Sequence, residues 1–208
     1  MLVVSGLTWR SWAVVVGVMV TTALVVARQA ASFRHIGELL AERDALTARL
    51  TELAFHDGLT GLPNRALFRN RLAEALQREP VAVFLVDLDD FKPVNDQHGH
   101  AAGDQLLAEV GRRLRGCVRS GDTVARLGGD EFAVLVPGLD PQRRAEVAAD
   151  LSEALTGRVW LDDVEVEVYL RASIGAAAGE PGRPLDSLLH EADMAMYAAK
   201  NSAHAVRR

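Results

Sequence analysis

Read for polarity alone, the chain opens on a long apolar stretch, passes through a segment with helical spacing, and then alternates strand-like and helix-like patterns to its end. From Ser11 to Ala27, SWAVVVGVMVTTALVVA contains no charge, and only Arg10 interrupts apolar or small uncharged residues back to Met1. About 20 such residues suffice to span a bilayer. A cleaved signal peptide and a buried helix are the competing readings. No small-x-small cleavage pattern leads into a mature start, and Arg28, Arg34 and Arg43 follow in helix-forming sequence. The pattern therefore predicts a retained transmembrane anchor over 1–27, its basic side in the cytoplasm and Trp9 and Trp12 near the outer interface. Next, Ile36, Leu39, Arg43, Leu46, Leu50 and Leu53 alternate spacings of three and four, a heptad seam with one charged residue on it. A coiled-coil-like helical stalk is expected over 28–54, with an amphipathic helix lying on its own domain as the alternative.

Over 55–208 the periodicity predicts one mixed domain. A helix is expected over Ala66–Arg78, then a buried strand in VAVFLVDLD ending at Asp87 and Asp89. A helix follows through GDQLLAEVGRRLRGCV, with Leu106, Leu107, Val110 and Leu114 on one face. Thr123–Leu127 and Glu131–Val136 read as the arms of a hairpin, with Gly128 and Gly129 supplying the positive φ angles of a two-residue turn. Asp140-Pro141 gives an N-cap and first helical residue for a helix to about Leu155. VEVEVYL alternates strictly, as a half-solvated strand does, SIGAAA follows it, and a helix from Leu185 to about Asn201 closes the domain. The fold class expected is α+β, a mixed, mostly antiparallel central sheet flanked by helices.

Composition narrows the chemistry. Of the 208 residues one is cysteine, Cys117, so there is no internal disulfide and no C-x-x-C zinc or redox site. Any metal chemistry would use oxygen ligands. Residues 1–50 hold five arginines against three acids, and the remainder 18 basic residues against 25 acidic ones. An acidic body argues against a nucleic-acid groove. No G-x-x-x-x-G-K-[ST] pattern occurs, which excludes P-loop chemistry.

The carboxylates of VARLGGDEFAVLV then require an explanation. Asp130 and Glu131 sit at the tip of an apolar hairpin, and Asp87 ends an apolar strand, all expected at one sheet edge. A lone aspartate at a strand end is ordinarily a turn cap. Three converging acids repel one another unless a divalent cation shares them, and hard oxygen donors suit Mg²⁺.

At this point five segments in order, DGLTGLPNR (57–65), DLDDFKPVNDQHGHAAGD (87–104), RLGGDEF (126–132), SIG (173–175) and ADMAMYAAK (192–200), resemble the GGDEF family of diguanylate cyclases. The resemblance runs from about Leu53 to the C-terminus. It implies a palm-like domain similar to nucleotidyl cyclases and polymerases, condensing two GTP into cyclic di-GMP and two pyrophosphates. By the same resemblance, Asp87, Asp130 and the backbone carbonyl of Leu88 hold Mg²⁺ or Mn²⁺, and Glu131 is a metal ligand or the base for the 3′-hydroxyl. Asn95 and Asp104 match the pair that recognises guanine, and His100 matches a pocket-lining residue. Gly128 and Gly129, besides making the turn, let the nucleotide approach the backbone. Lys92 and Lys200, the two lysines of the chain, match phosphate-contacting or charge-stabilising lysines.

RSGD, with Arg119 and Asp122, stands where the family has its R-x-x-D product-inhibition site for cyclic di-GMP; a solvated turn is the plain alternative. One departure is His204, with Ala203 before it, where an arginine reaching the triphosphate is usual; Arg207 or Arg208 would be the substitutes. The resemblance further implies a homodimer, since one domain holds one GTP, and the short stretch before the anchor leaves the membrane, a partner or the product as the expected source of control. A catalytically silent module that binds cyclic di-GMP, and a different guanine-nucleotide cyclase on the same palm, are the alternative functions.

Overall fold

The structure, a computed structural model, describes residues 9–138, 140–161 and 164–205. It divides into two units, Met1–Thr51 and Glu52–Arg208. The first is helical: α1 runs from Trp9 to Phe55, and its end belongs to the second unit. Among the described residues one helical stretch is long and apolar enough to cross a membrane, beginning at Trp12. Within its unit none of the described side chains of the stretch is buried, and Trp12, Val14, Met19, Leu24 and Val26 are all exposed.

The second unit is a four-stranded sheet with helices on both faces, plus a separate hairpin. In chain order its elements are α2 (Arg65–Ala75), β1 (Val81–Leu88), α3 (Phe91–His98), α4 (His100–Gly116), β2 (Thr123–Gly128), β3 (Glu131–Pro137), α5 (Pro141–Ala154), β4 (Gly157–Leu161), β5 (Val166–Leu170), β6 (Ala172–Gly179) and α6 (Leu185–Ala205). The sheet order is β2-β3-β1-β6, and β4 pairs with β5. Every pairing described is antiparallel.

Strand alternation assigns the core to two layers. Phe84, Val86 and Leu88 of β1, with Phe132, Val134 and Val136 of β3, face Leu106, Leu107, Val110 and Leu114 of α4, as well as α5 and the β4–β5 hairpin. Val81, Val83 and Leu85, with Ala133 and Leu135, face Phe68 and Leu72 of α2 and Leu188, Ala192 and Met196 of α6. Burial on both faces is why β1 reads as an unbroken apolar run.

Three expectations change. Residues 91–98 form α3, which the polar sequence FKPVNDQH concealed, so Asn95 lies in a helix and His100 opens α4 rather than sitting in a loop. Asp104 accordingly lies beyond the first turn of its helix. β4 was not anticipated; its alternation is only five residues long and is satisfied by pairing with β5. The hairpin turn is shifted by one: Gly128 pairs with Glu131, which leaves Gly129 and Asp130 as the central residues, and a bulge at Leu127 absorbs the extra residue. Both glycines do take positive φ, 140° and 54°. The acids do meet at one edge of the sheet, where β1 finishes and β3 begins, these being its two central strands.

Candidate active site

The register of β1 on β3 places Asp87 directly opposite Glu131. Opposed residues of an antiparallel pair project to the same face, so both carboxylates stand on the α2/α6 side, just past the apolar layer. The Leu88 amide donates to the Asp130 carbonyl at 3.3 Å, which brings the turn against the end of β1.

Asp87 and Glu131 each have a basic partner. Lys200, from α6, donates to Asp87 in a short contact. The ammonium's pKa is raised, first by that hydrogen bond and then by the fields of Asp87, Asp130 and Asp89, with partial burial opposing. Arg65, at the start of α2, pairs with Glu131 at 2.9 Å. Asp89 is buried and accepts from the Ser173 hydroxyl at 2.8 Å. Among the described residues no three His, Cys, Asp or Glu side chains close on one point as a metal cage would. The donor set nevertheless suits a hard divalent ion. It is all oxygen, and two of its carboxylates, Asp87 and Glu131, stand in register on one face.

The elements explain this placement. Gly175 of β6 pairs with Leu85, and a Cβ there would stand 2.1 Å from the Met196 nitrogen and 2.2 Å from the Ala192 oxygen. The α6 backbone therefore rests on β6 at a glycine, and Lys200, one turn beyond Met196, arrives over Asp87. On the opposite side of the site, a Cβ at Gly103 would fall 2.0 Å from Asn95 Oδ1. The Asn95 side chain thus lies on α4 immediately beside Asp104, so the two proposed guanine contacts are neighbours. Lys92 and His100 are exposed on α3 and α4, and no contact draws them to the acids. His204 falls within α6, its side chain outside the described residues, as are Arg207 and Arg208.

Two arginines and an aspartate that the motif reading quoted without roles hold the hairpin. Arg126 donates to both oxygens of Asp57, at 3.1 and 3.0 Å, and to the Gly129 carbonyl at 2.8 Å. Burial would raise the Asp57 pKa, but hydrogen bonds from Thr60 and Arg126 outweigh it and lower the value. The signal was available: a charged residue inside the apolar run VARL needs a partner. Arg65 reaches the Leu127 carbonyl as well as Glu131.

Arg119 and Asp122 lie elsewhere, on the loop before β2. Asp122 accepts from the Arg119 backbone amide at 2.9 Å, with Arg143 at 3.9 Å, so its carboxylate closes its own turn. Beside it runs a groove of about 500 Å³ lined by Arg71, Arg115 and Arg119.

Comparison with known proteins bears on the family and the fold. Residues 54–205 match the family model described as "Diguanylate cyclase, GGDEF domain". Diguanylate cyclase TpbB of Pseudomonas aeruginosa is 44% identical over 168 residues, 77% of this chain and 38% of that protein. Diguanylate cyclase DgcM of Escherichia coli is 37% identical over 170 residues, 78% of this chain and 40% of its own length. This chain thus spans well under half of those relatives. Among solved structures, the GGDEF domain of TpbB superposes with a TM-score of 0.65 at 44% identity, covering 71% of this chain and 89% of that one. The coiled coil and GGDEF domain of DgcB from Caulobacter crescentus, in complex with c-di-GMP, gives a TM-score of 0.76 at 27% identity, covering 86% and 95%. With the family model matched over 54–205 and relatives 44% and 37% identical over most of its length, the chain belongs to the GGDEF-domain family of diguanylate cyclases.

Proposed function

We propose that this chain is a diguanylate cyclase, converting two GTP into cyclic di-GMP and two pyrophosphates as a homodimer held at a membrane by α1. The observation that carries the reading is the β1–β3 register, which sets Asp87 against Glu131 with Asp130 beside them. In each half-reaction the 3′-oxygen of one GTP bonds to the α-phosphorus of the other. The bond from that phosphorus to the bridging oxygen breaks, pyrophosphate leaves, and the hydroxyl proton passes to a base.

Asp87, Asp130, Glu131 and the Leu88 carbonyl would hold Mg²⁺ or Mn²⁺. Bound there, a divalent ion offsets the charge of the acids and triphosphate and acidifies the 3′-hydroxyl. Glu131 serves as a ligand or as the acceptor of the hydroxyl proton. Lys200, held over Asp87, supplies a cation for the triphosphate. Lys92 supplies a second cation for the triphosphate, and His100 lines the pocket. Asn95 and Asp104 take the guanine edge. A carboxylate accepts from N1–H and the 2-amino group, both of which adenine lacks. Gly128 and Gly129 leave the hairpin tip open to the nucleotide, since nothing stands within 4 Å of a Cβ at either.

One domain binds one GTP, so the phosphodiester needs two copies facing each other. A helical anchor over 1–27 and stalk over 28–54 raise the effective concentration of the second domain. Product inhibition is assigned to Arg119 and Asp122, supported by the arginine-lined groove beside them. A silent cyclic di-GMP receptor would use the same groove, and the following experiment separates the two.

Membranes from cells expressing the full chain are washed with alkaline carbonate, and detergent-solubilised protein is incubated with GTP and Mg²⁺. Retention in the washed pellet is expected, as is cyclic di-GMP from wild type. Glu131→Gln should lower the rate at least about a hundredfold, and Arg119→Ala should remove the slowing seen as product accumulates. Unconverted GTP with tight product binding would establish the receptor instead, and release by carbonate would remove the anchor.

A further inference from the structure

The bulge that shifts the signature hairpin leaves the Leu127 carbonyl outside the ladder, and Arg65 takes it. Arg65 Nε donates to that carbonyl at 3.1 Å while Nη2 of the same guanidinium donates to Glu131 Oε2 at 2.9 Å. One planar fork therefore ties the two arms of the hairpin together at the base of its tip, with the Glu131 carboxylate as one of its two attachment points. A guanidinium holds such a pair of acceptors in fixed relative geometry, which a single ammonium does not.

The arginine is itself well placed. The Asn64 side chain caps α2 by accepting from the Ala66 and Leu67 amides, and it donates to the Ala54 carbonyl at 2.8 Å. The Arg126 amide donates to the Pro63 carbonyl at 2.9 Å, pinning the hairpin to the residues just ahead of Arg65. Backbone on both sides of the contact is thus fixed before the side chains meet. The pair borders a cavity of about 350 Å³ between α2, the sheet and α6, floored by Leu127, Phe132 and Met196.

We propose that Arg65 is a positioning residue for Glu131, fixing the direction of its carboxylate toward the reacting hydroxyl by bridging it to the bulge carbonyl. The proposal rests on the cyclase reading above, in which Glu131 acts on the 3′-hydroxyl or its ion. The Arg65 and Glu131 side chains are 59% and 43% exposed, so the pair contributes little to global stability. Misdirection of a reacting group by about an ångström, in contrast, costs on the order of a hundredfold in rate. A purely structural contact and a positioning contact therefore predict different results.

The test uses full-length protein and steady-state formation of cyclic di-GMP, with thermal unfolding measured alongside. Arg65→Ala is expected to lower kcat about 30-fold while leaving KM for GTP within about threefold and the unfolding midpoint within about 2 °C. Arg65→Lys, able to reach Glu131 but not both acceptors at once, should fall between. In a Glu131→Asp background, where the carboxylate is withdrawn by one methylene from the guanidinium, Arg65→Ala should cost less than about threefold further.

A kcat for Arg65→Ala within about twofold of wild type overturns the proposal. So does a rise in KM at unchanged kcat, which would make Arg65 a substrate contact, or an undiminished 30-fold loss in the Glu131→Asp background. A wild-type chain that makes no cyclic di-GMP overturns the cyclase reading first, and this inference with it.

Discussion

Gly103 carries no side chain where Asn95 needs the space. With Asn95 Oδ1 2.0 Å from where a Cβ would stand, alanine at 103 must push the amide off α4 and away from Asp104. Helix α4 tolerates alanine better than glycine, so helical propensity alone predicts a small gain in stability. Function runs the other way. Gly103→Ala should raise KM for GTP about tenfold, the equivalent of one lost hydrogen bond, with kcat little changed and discrimination against ATP reduced. Steady-state kinetics with both nucleotides checks it, and unchanged KM would separate Asn95 from guanine recognition. Asn95 and Asp104 were legible as candidates from their motif. That a glycine between them seats the asparagine was not, because the contact joins two helices, one of which was hidden in a polar stretch.

Among the elements, α6 against β6 decides whether Lys200 meets Asp87. The small residues of ASIGAAAG admit a helix at close range, and at Gly175 the approach is backbone to backbone, which no rotamer change can relieve. Gly175→Ala should therefore destabilise the second unit by about 3 kcal/mol, at the upper end for overpacking, and lift the Lys200 end of α6 from the sheet. Denaturant unfolding measures the first effect. A stability within about 0.5 kcal/mol of wild type would show that the helix yields without cost. By comparison, Gly179 would place a Cβ 3.0 Å from the flexible ends of Leu188 and Leu76, a milder conflict. The sequence showed the small-residue strand and the final helix, and the resemblance supplied a role for Lys200. Their apposition required the sheet order, in which β6 lies next to β1 though β2 through β5 intervene in the chain.

Across the second unit, the Asp57–Arg126 pair ties the segment entering the domain to the signature hairpin, 69 residues later. Both side chains are largely buried, at 22% and 12% exposure, so this contact matters to global stability in a way the Arg65 pair does not. Asp57 has a folded-state pKa below its ordinary value. Its ionised form is therefore favoured by folding, and the contribution is full above the unfolded value of about 3.9 and lost as pH falls through the folded value. Asp57→Asn should cost about 2 kcal/mol near neutral pH. The gap between variant and wild type should then narrow on acidification below about pH 4. Unfolding midpoints across pH 3–7 test the sign, and a gap that widens in acid would refute it.

What the sequence determined by itself was whatever depends on neighbours along the chain: an apolar segment of membrane-spanning length, helix and strand periods, the cap at Asp140, and a glycine pair able to take positive φ. The ordered motifs added the family. What only the tertiary structure decided was which charges meet. Lys200 falls on Asp87, Arg65 on Glu131 and Arg126 on Asp57, each across more than 60 residues of chain. Local period dictates which face a residue occupies, but the partner on that face is set by strand order and by how closely helices can approach. Glycine positions, bulges and sheet register resolve those only once the whole domain has packed.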